Sequence, residues 1–230
     1  APFAEAMNDV RSDVLPGQKG EVIVTLGVRA GSAHDPVGQE GLAWLTAKQI
    51  ANTGGLTSSI ADMGGAFTVV TGLELVLFQL QIPEEHAAEA VNAIVQAMVE
   101  PDFSERMFEQ NQSQAALWLE SGIGSSPSRL AAAAFQNWIF QGHPYGHVSQ
   151  GRLGILSSLE PEDVNRFYED RYVRPAFAVV HTDNLSEAAS EALRFGLRSQ
   201  PARLYRDVTP RPISPVRDVQ IMALLSEDET

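Results

Sequence analysis

Residues 41–82 show no alternation of strand and helix, and that limits the fold more than any other feature of the chain. Gly38-Gln-Glu-Gly41 opens a predicted helix that runs to about residue 51, with Leu42, Leu45 and Ile50 facing inward. Gly54-Gly55 ends it, because glycine readily takes the left-handed conformation at a helix terminus. A short helix at about 57–63 stops at Gly64-Gly65, and strands at about 66–71 and 73–82 follow with only Gly72 between them. Strands joined so tightly must run antiparallel, since a parallel pair needs a crossover of a dozen residues or more. A β-branched strand at 21–28 precedes this block. The reading is an α+β fold, an antiparallel sheet with helices packed on one face.

The rest of the chain fits that plan. Pro83-Glu84-Glu85 starts a helix, proline suiting the first turn and carboxylates the positive end of the dipole. Ala87, Val91, Ile94, Val95 and Met98 then repeat at helical spacing. Further helices are expected at 104–121, 128–140, 161–172 and 185–198, with a small loop at 122–126 and a strand at 177–181. Val164, Phe167 and Tyr168 form the inward stripe of the third of these helices. Residues 1–20 read as a loose arm or a degenerate edge strand. The aperiodic, Pro- and Arg-rich stretch 200–216 reads as a linker, and 217–225 as a strand. The expected division is one domain over 1–199, the linker 200–216, and the first strand of a second, similar domain at 217–230.

Composition removes several partners. With 16 Lys and Arg against 29 Asp and Glu, the net charge is −13 and no basic cluster exists, so nucleic acid and anionic membrane are poor partners. No apolar run approaches the 18 or so residues of a membrane span. Cysteine is absent, which excludes disulfides and thiolate sites and is neutral on compartment. The start Ala1-Pro2-Phe3-Ala4 lacks an initiator Met and reads either as a processed, exported end or equally as a cut boundary, with a slight edge to a periplasmic or exported location over a cytoplasmic one.

Four collinear segments carry a resemblance. They are Val28-Arg-Ala-Gly-Ser-Ala-His-Asp35 with Gly41-Leu42-Ala43; Ile60-Ala-Asp-Met-Gly-Gly-Ala-Phe67; Glu100-Pro-Asp-Phe103 with Ser126-Pro127; and Gly142-His-Pro-Tyr-Gly146 with Leu159-Glu-Pro-Glu-Asp163 and Tyr172-Val-Arg-Pro175. Together they resemble the insulinase/pitrilysin family of zinc metallopeptidases, including the subunits of the mitochondrial processing peptidase. The resemblance implies the metallohydrolase fold of that family, in half-shells built of two similar domains.

In active members the helix after Gly-Leu-Ala carries H-x-x-E-H. Its two histidines, four apart on one helical face, bind zinc, and the glutamate activates the bound water. The matching residues here are Trp44, Ala47 and Lys48, so the resemblance implies no catalytic and no metal-binding residue in this chain. The third ligand falls near Leu119 or Glu120, and Glu120 is a possible remnant. Trp44 is expected as core filler, and Lys48 as a solvated or salt-bridged helix residue. His143 and His147 are also four apart, but Pro144 and Gly146 intervene, so a packed turn with a hydrogen-bonded His143 is expected rather than a metal site. The family's substrate-facing strand, G-G-x-x-N-A-x-T-x-x-D-x-T-x-Y, maps onto residues 64–78. Gly65, Thr68 and Thr71 become the candidate substrate-binding positions, although Thr68, Val69 and Val76 depart from the pattern.

The implied role is a non-catalytic subunit of a two-chain peptidase. It would enclose unfolded peptide for a zinc-bearing homologous partner, or pair as a homodimer, with no cofactor of its own and zinc in the partner. The alternatives are an assembly protein like the core subunits of the cytochrome bc complex, and an active zinc peptidase.

Overall fold

The computed structural model describes residues 10–203 and 205. Its five strands are β1 (Arg11–Leu15), β2 (Glu21–Val28), β3 (Ala66–Thr71), β4 (Val76–Pro83) and β5 (Phe177–Thr182), in the order β1-β5-β2-β4-β3. The helices are α1 (Leu42–Asn52), α2 (Leu56–Asp62), α3 (Ala87–Val99), α4 (Glu105–Leu117), α5 (Pro127–Ile139), α6 (Leu153–Leu156), α7 (Pro161–Arg171) and α8 (Glu187–Arg198).

The sheet is amphipathic by alternation. In β2, Val22, Val24, Leu26 and Val28 are buried, whereas Ile23 on the opposite face is exposed. Leu26 sits opposite Phe78 of β4 on one side and Val179 of β5 on the other, so inward side chains line up across strands. Helices cover that inward face. The buried stripe Ala87, Val91, Ile94 and Met98 of α3 is the one expected from its spacing, with Val95 half-buried beside it. Pro161 at the first turn and a reciprocal Glu160–Asp163 capping box start α7, which buries Val164 and Phe167.

The structure departs from the sequence reading in four places. The edge strand β1 pairs parallel to β5, so the sheet is mixed, not wholly antiparallel. A chain entering from outside the hairpin block is free to join in either direction, and alternation does not encode which. β4 begins at Val76, because Gly72–Leu75 is spent on the turn that Gly72 N closes on the Leu75 carbonyl. The helix expected over 104–121 is α-helical only to Leu117, then widens into a π-helix, Trp118–Ile123, that takes in Gly122 and Ile123 of the expected loop. The short helix α6 lies in a stretch given no element.

Gln200 is buried and donates to the Met98 carbonyl at 3.0 Å and the Tyr168 hydroxyl at 2.9 Å. Tyr205 donates to the Arg29 carbonyl at 2.8 Å and meets His34 Nε2 at 2.5 Å, with the Arg29 guanidinium 5.0 Å over its ring. Residues 204 and 206–216 of the expected linker and the strand at 217–225 lie outside the described residues.

Candidate functional site

The site is built around the N-terminus of α1. A helix start leaves backbone N–H groups without intrahelical partners. Asp35, six residues upstream, supplies them from outside the helix: its Oδ2 accepts from Gly41 N at 2.8 Å and its Oδ1 from Ala43 N at 2.7 Å. The carboxyl is completely buried, and that burial pushes its pKa up from 3.8 to about 8 against the pull of the two N–H donors. Neighbouring Glu40 adds to the rise and Arg171 opposes it. His147 Nε2 lies 3.9 Å from Asp35 Oδ2, and burial lowers its own pKa below the usual imidazole value.

Backbone contact locks the same loop onto α1. Gly41 and Gly151 both have positive φ, 115° and 82°. A Cβ on Gly151 would come within 2.0 Å of the Glu40 carbonyl oxygen, and one on Gly41 within 2.9 Å of the Gln150 carbonyl oxygen. Only glycine permits both the conformation and the approach. Within this loop His143 Nδ1 accepts from Tyr145 N at 3.1 Å, the hydrogen-bonded turn expected there. Tyr145 in turn donates its hydroxyl to Glu74 at the β3–β4 turn. The loop therefore ties α1 to the hairpin.

The motif positions of α1 lie inside this frame. Trp44 and Ala47 are buried, Ala47 completely, and Lys48 is half-buried with its ammonium 5.5 Å from the Trp44 ring centroid. Four residues apart on one face, Trp44 and Lys48 form a cation–π pair that leaves the lysine partly in solvent. Indole, methyl and protonated amine do not fit a zinc ion, which needs lone pairs from imidazole, thiolate or carboxylate. Among the described residues no group of three or more His, Asp or Glu could hold a metal ion. Beside this pair, Thr46 Oγ1 and both side-chain polar atoms of Gln49 are buried without a protein partner.

Glu120 falls in the π-helix and is exposed, whereas Leu119 packs against the core. Such wide turns concentrate at functional sites. Leu119 also lines a cavity of about 420 Å³ between α5 and the 146–153 loop. The helix α5 beside it buries no residue and exposes Leu130, Phe135 and Ile139.

Among the described residues β3 is an edge strand, paired only with β4, and Thr68 is exposed on it while Thr71 is half-buried. Gly65 just before it is a packing requirement, since a Cβ there would lie 2.4 Å from Ile82 Cδ1 and 2.7 Å from the Gln81 carbonyl oxygen. Gly65, Thr68 and Thr71 are thus gathered on one edge, on a strand that α1 packs against directly and that Glu74 and Tyr145 also tie to its frame. The sequence reading missed Asp35 and His147 as a pair. An acidic residue ahead of a Gly-initiated helix was the available signal for the first, and nothing local marks the second.

A family model described as Insulinase (Peptidase family M16) matches residues 17–146, more than half the chain. Curated protein sequences give no match. Among solved structures, a peptidase M16 inactive domain from Pseudomonas fluorescens is 15% identical with a TM-score of 0.78, over 90% of this chain and 52% of that one. The first half of the periplasmic protease PqqL from Escherichia coli is 13% identical with a TM-score of 0.77, over 90% and 47%. Pitrilysin is 19% identical with a TM-score of 0.75, over 90% and 23%. At these identities the likeness is one of fold, and the chain spans about half the length of the first of these structures, or less of the others. None of the described helices is long and apolar enough to cross a membrane.

Proposed function

The chain belongs to the insulinase family of peptidases, M16, and from that premise we propose that it is a non-catalytic member that helps enclose unfolded peptide for a zinc-bearing homologous partner. The observation that carries this reading is the sealed face of α1. On the alignment that the resemblance implies, Trp44 and Lys48 form a cation–π pair at the positions of the family's two histidines, and the fully buried Ala47 falls at that of its general base. A general base must reach the water it activates, and a buried methyl does not. The open edge of β3 supports the binding half of the proposal, because an extended peptide can add to such an edge through main-chain hydrogen bonds. The likeness to a structure described as an inactive M16 domain is in keeping with it. The likeness to PqqL, a periplasmic protease, supports a periplasmic place of work. The chain needs no cofactor in this role, and zinc belongs to the partner.

Metal analysis, peptide hydrolysis and co-purification with an M16 homologue bearing H-x-x-E-H test it together. The expected result is less than about 0.1 zinc per chain, no cleavage alone, and cleavage by the homologue that changes when this protein is added. About one zinc per chain with chelator-sensitive cleavage overturns the non-catalytic reading. Failure to associate with any homologue, with no peptide bound, turns the proposal toward the assembly role.

A further inference from the structure

We propose that His34, Tyr205 and the Arg29 carbonyl form a pH-sensitive latch. An imidazolium at His34 holds the segment that follows α8 against the loop before α1, and neutral His34 releases it. The inference goes beyond the peptide-enclosing role and does not depend on it.

The segment is fastened to the domain at two points of different chemistry. At the first, the buried Gln200 amide donates to the Met98 carbonyl and the Tyr168 hydroxyl, and the Pro201 carbonyl accepts from Arg174 N at 3.0 Å. No group there titrates near neutrality, since burial raises the Tyr168 hydroxyl above the ordinary phenol value. At the second, half-buried Tyr205 packs against the core and its hydroxyl meets Arg29 and His34.

Counting protons decides the charge of the ring. His34 Nδ1 faces the Gly31 carbonyl at 3.2 Å, and a carbonyl only accepts, so Nδ1 carries a hydrogen. Nε2 lies 2.5 Å from the Tyr205 hydroxyl oxygen, which is itself 2.8 Å from the Arg29 carbonyl. A phenol has one proton. Given to the carbonyl, it leaves only lone pairs facing Nε2, so Nε2 must donate as well. The imidazolium alone satisfies all three contacts. Neutral His34 would take the phenol's proton and set two acceptors face to face at the Arg29 carbonyl. Arg29, His34 and Tyr205 each take part in a further interaction, and none of these changes the single proton of the phenol.

Other groups make the charge reversible. His34 is only 2% exposed, and the Arg29 guanidinium lies 5.0 Å from the Tyr205 ring centroid; both oppose a second cation. Around the same loop stand Asp35 and Glu40 ahead of α1, His147 beyond Asp35, and Glu74, whose backbone carbonyl accepts from Gly31 N and whose carboxyl accepts from Tyr145. The held form binds one proton more than the released one. The latch is therefore closed in acid and loosens as pH rises through the folded value of His34. His34 ends the short turn Ser32–His34 directly before Asp35, so the latch ties the segment to the residue that holds the start of α1.

The test uses the full chain labelled with ¹⁵N. Long-range imidazole spectra report the charge of His34, and amide hydrogen exchange over 199–205, corrected for its intrinsic pH dependence, reports the hold on the segment. His34 should be doubly protonated at pH 5.5. It should lose that proton about one pH unit higher than in Tyr205→Phe, a tenfold difference in proton affinity, because a hydrogen bond to a charged group favours the charged form. Protection over 199–205 should fall by about tenfold from pH 5.5 to 8, and in His34→Gln it should not depend on pH. An unchanged melting temperature shows that each variant folds, and the Tyr205→Phe titration decides the matter if His34→Gln does not. A neutral His34 at pH 5.5, or the same titration in Tyr205→Phe, overturns the latch. So does a His34 that titrates as expected while protection of the segment stays constant, since the proton then holds nothing.

Discussion

Helices α1 and α5 are similar in length and both rich in apolar residues, yet they sit in opposite conditions. In α1 nine of the eleven residues are buried, including Thr46 and Gln49, and its start is held by Asp35 and by the glycine contact at 41 and 151. In α5 none of the thirteen residues is buried, and Leu130, Phe135 and Ile139 face outward. Burial follows from what each helix packs on: α1 lies among the sheet, α4 and α7, while α5 leans on the π-helix and donates from Gln136 and Asn137 to the Tyr145 and Gly146 carbonyls. The helix onto which the resemblance maps the zinc motif is largely core. The helix that borders the cavity is open, with Leu130, Phe135 and Ile139 in contact with water.

The severest test of this contrast is Ala47→Glu. If α1 is sealed, the new carboxylate enters a fully buried position with no partner and should cost more than about 3 kcal/mol, read as a lower urea midpoint. Peptidase activity should not appear. A neutral effect on stability would mean that water reaches this face, and the contrast with α5 would fail.

The frame of α1 should also show in the pH dependence of stability. The folded Asp35 carboxyl keeps its proton to about pH 8, whereas the unfolded one loses it near 3.8. Between these values the folded state binds the extra proton, so the contribution of Asp35 is greatest in acid and is lost as pH rises to about 8. His147 acts in the opposite sense. Its folded value is lowered, so its contribution is present above the ordinary imidazole value of 6.5 and falls as pH drops below it. The two oppose each other in acid, and of the two only the Asp35 decline remains from about pH 6.5 to 8, at no more than about 1.4 kcal/mol per pH unit. Urea midpoints at pH 6.5 and 8 should differ in His34→Gln, which removes the latch proton, and converge when Asp35→Asn is added.

Gln49→Met should move stability the other way. It replaces a buried amide that lacks protein partners with an apolar chain of similar size, and a gain of about 1 kcal/mol is expected from the urea midpoint. A loss would show that the amide is held by bound water and belongs to a polar network in α1.

The legible part of the molecule was whatever repeats at short range. The alternation of Val22, Val24, Leu26 and Val28, the stripe of α3 and the stops at Gly54-Gly55 are periodicities or turn signals, and they settle into the elements expected. The edge strand β1 is one of the two readings of its segment, but its parallel direction escaped because direction depends on distant pairing, and its residues are all exposed, so no alternation marks it. The π-helix escaped because one extra residue per turn leaves the hydrophobic spacing of 118–123 nearly unchanged. At the site, Trp44, Ala47 and Lys48 could be found only through the order of the four motif segments. Asp35 and His147 are joined by burial more than a hundred residues apart, and no sequence period reports that.

The smallest expected effect sharpens the comparison from the α5 side. Phe135 is 53% exposed and meets Trp138 edge-on at 6.4 Å between ring centroids. An exposed aromatic contributes little to folding, because most of its surface is in water in both states. Phe135→Ser should therefore shift stability by no more than about 0.5 kcal/mol in a urea titration. Its consequence should appear in binding, where an exposed aromatic offers contact area at low entropic cost. The variant should hold unfolded peptide more weakly while unfolding at the wild-type midpoint. A loss of more than about 1 kcal/mol would mean that α5 shares the core after all. Its exposed face would then be packing surface like that of α1, and the division of the molecule into a sealed helix and an open one would not stand.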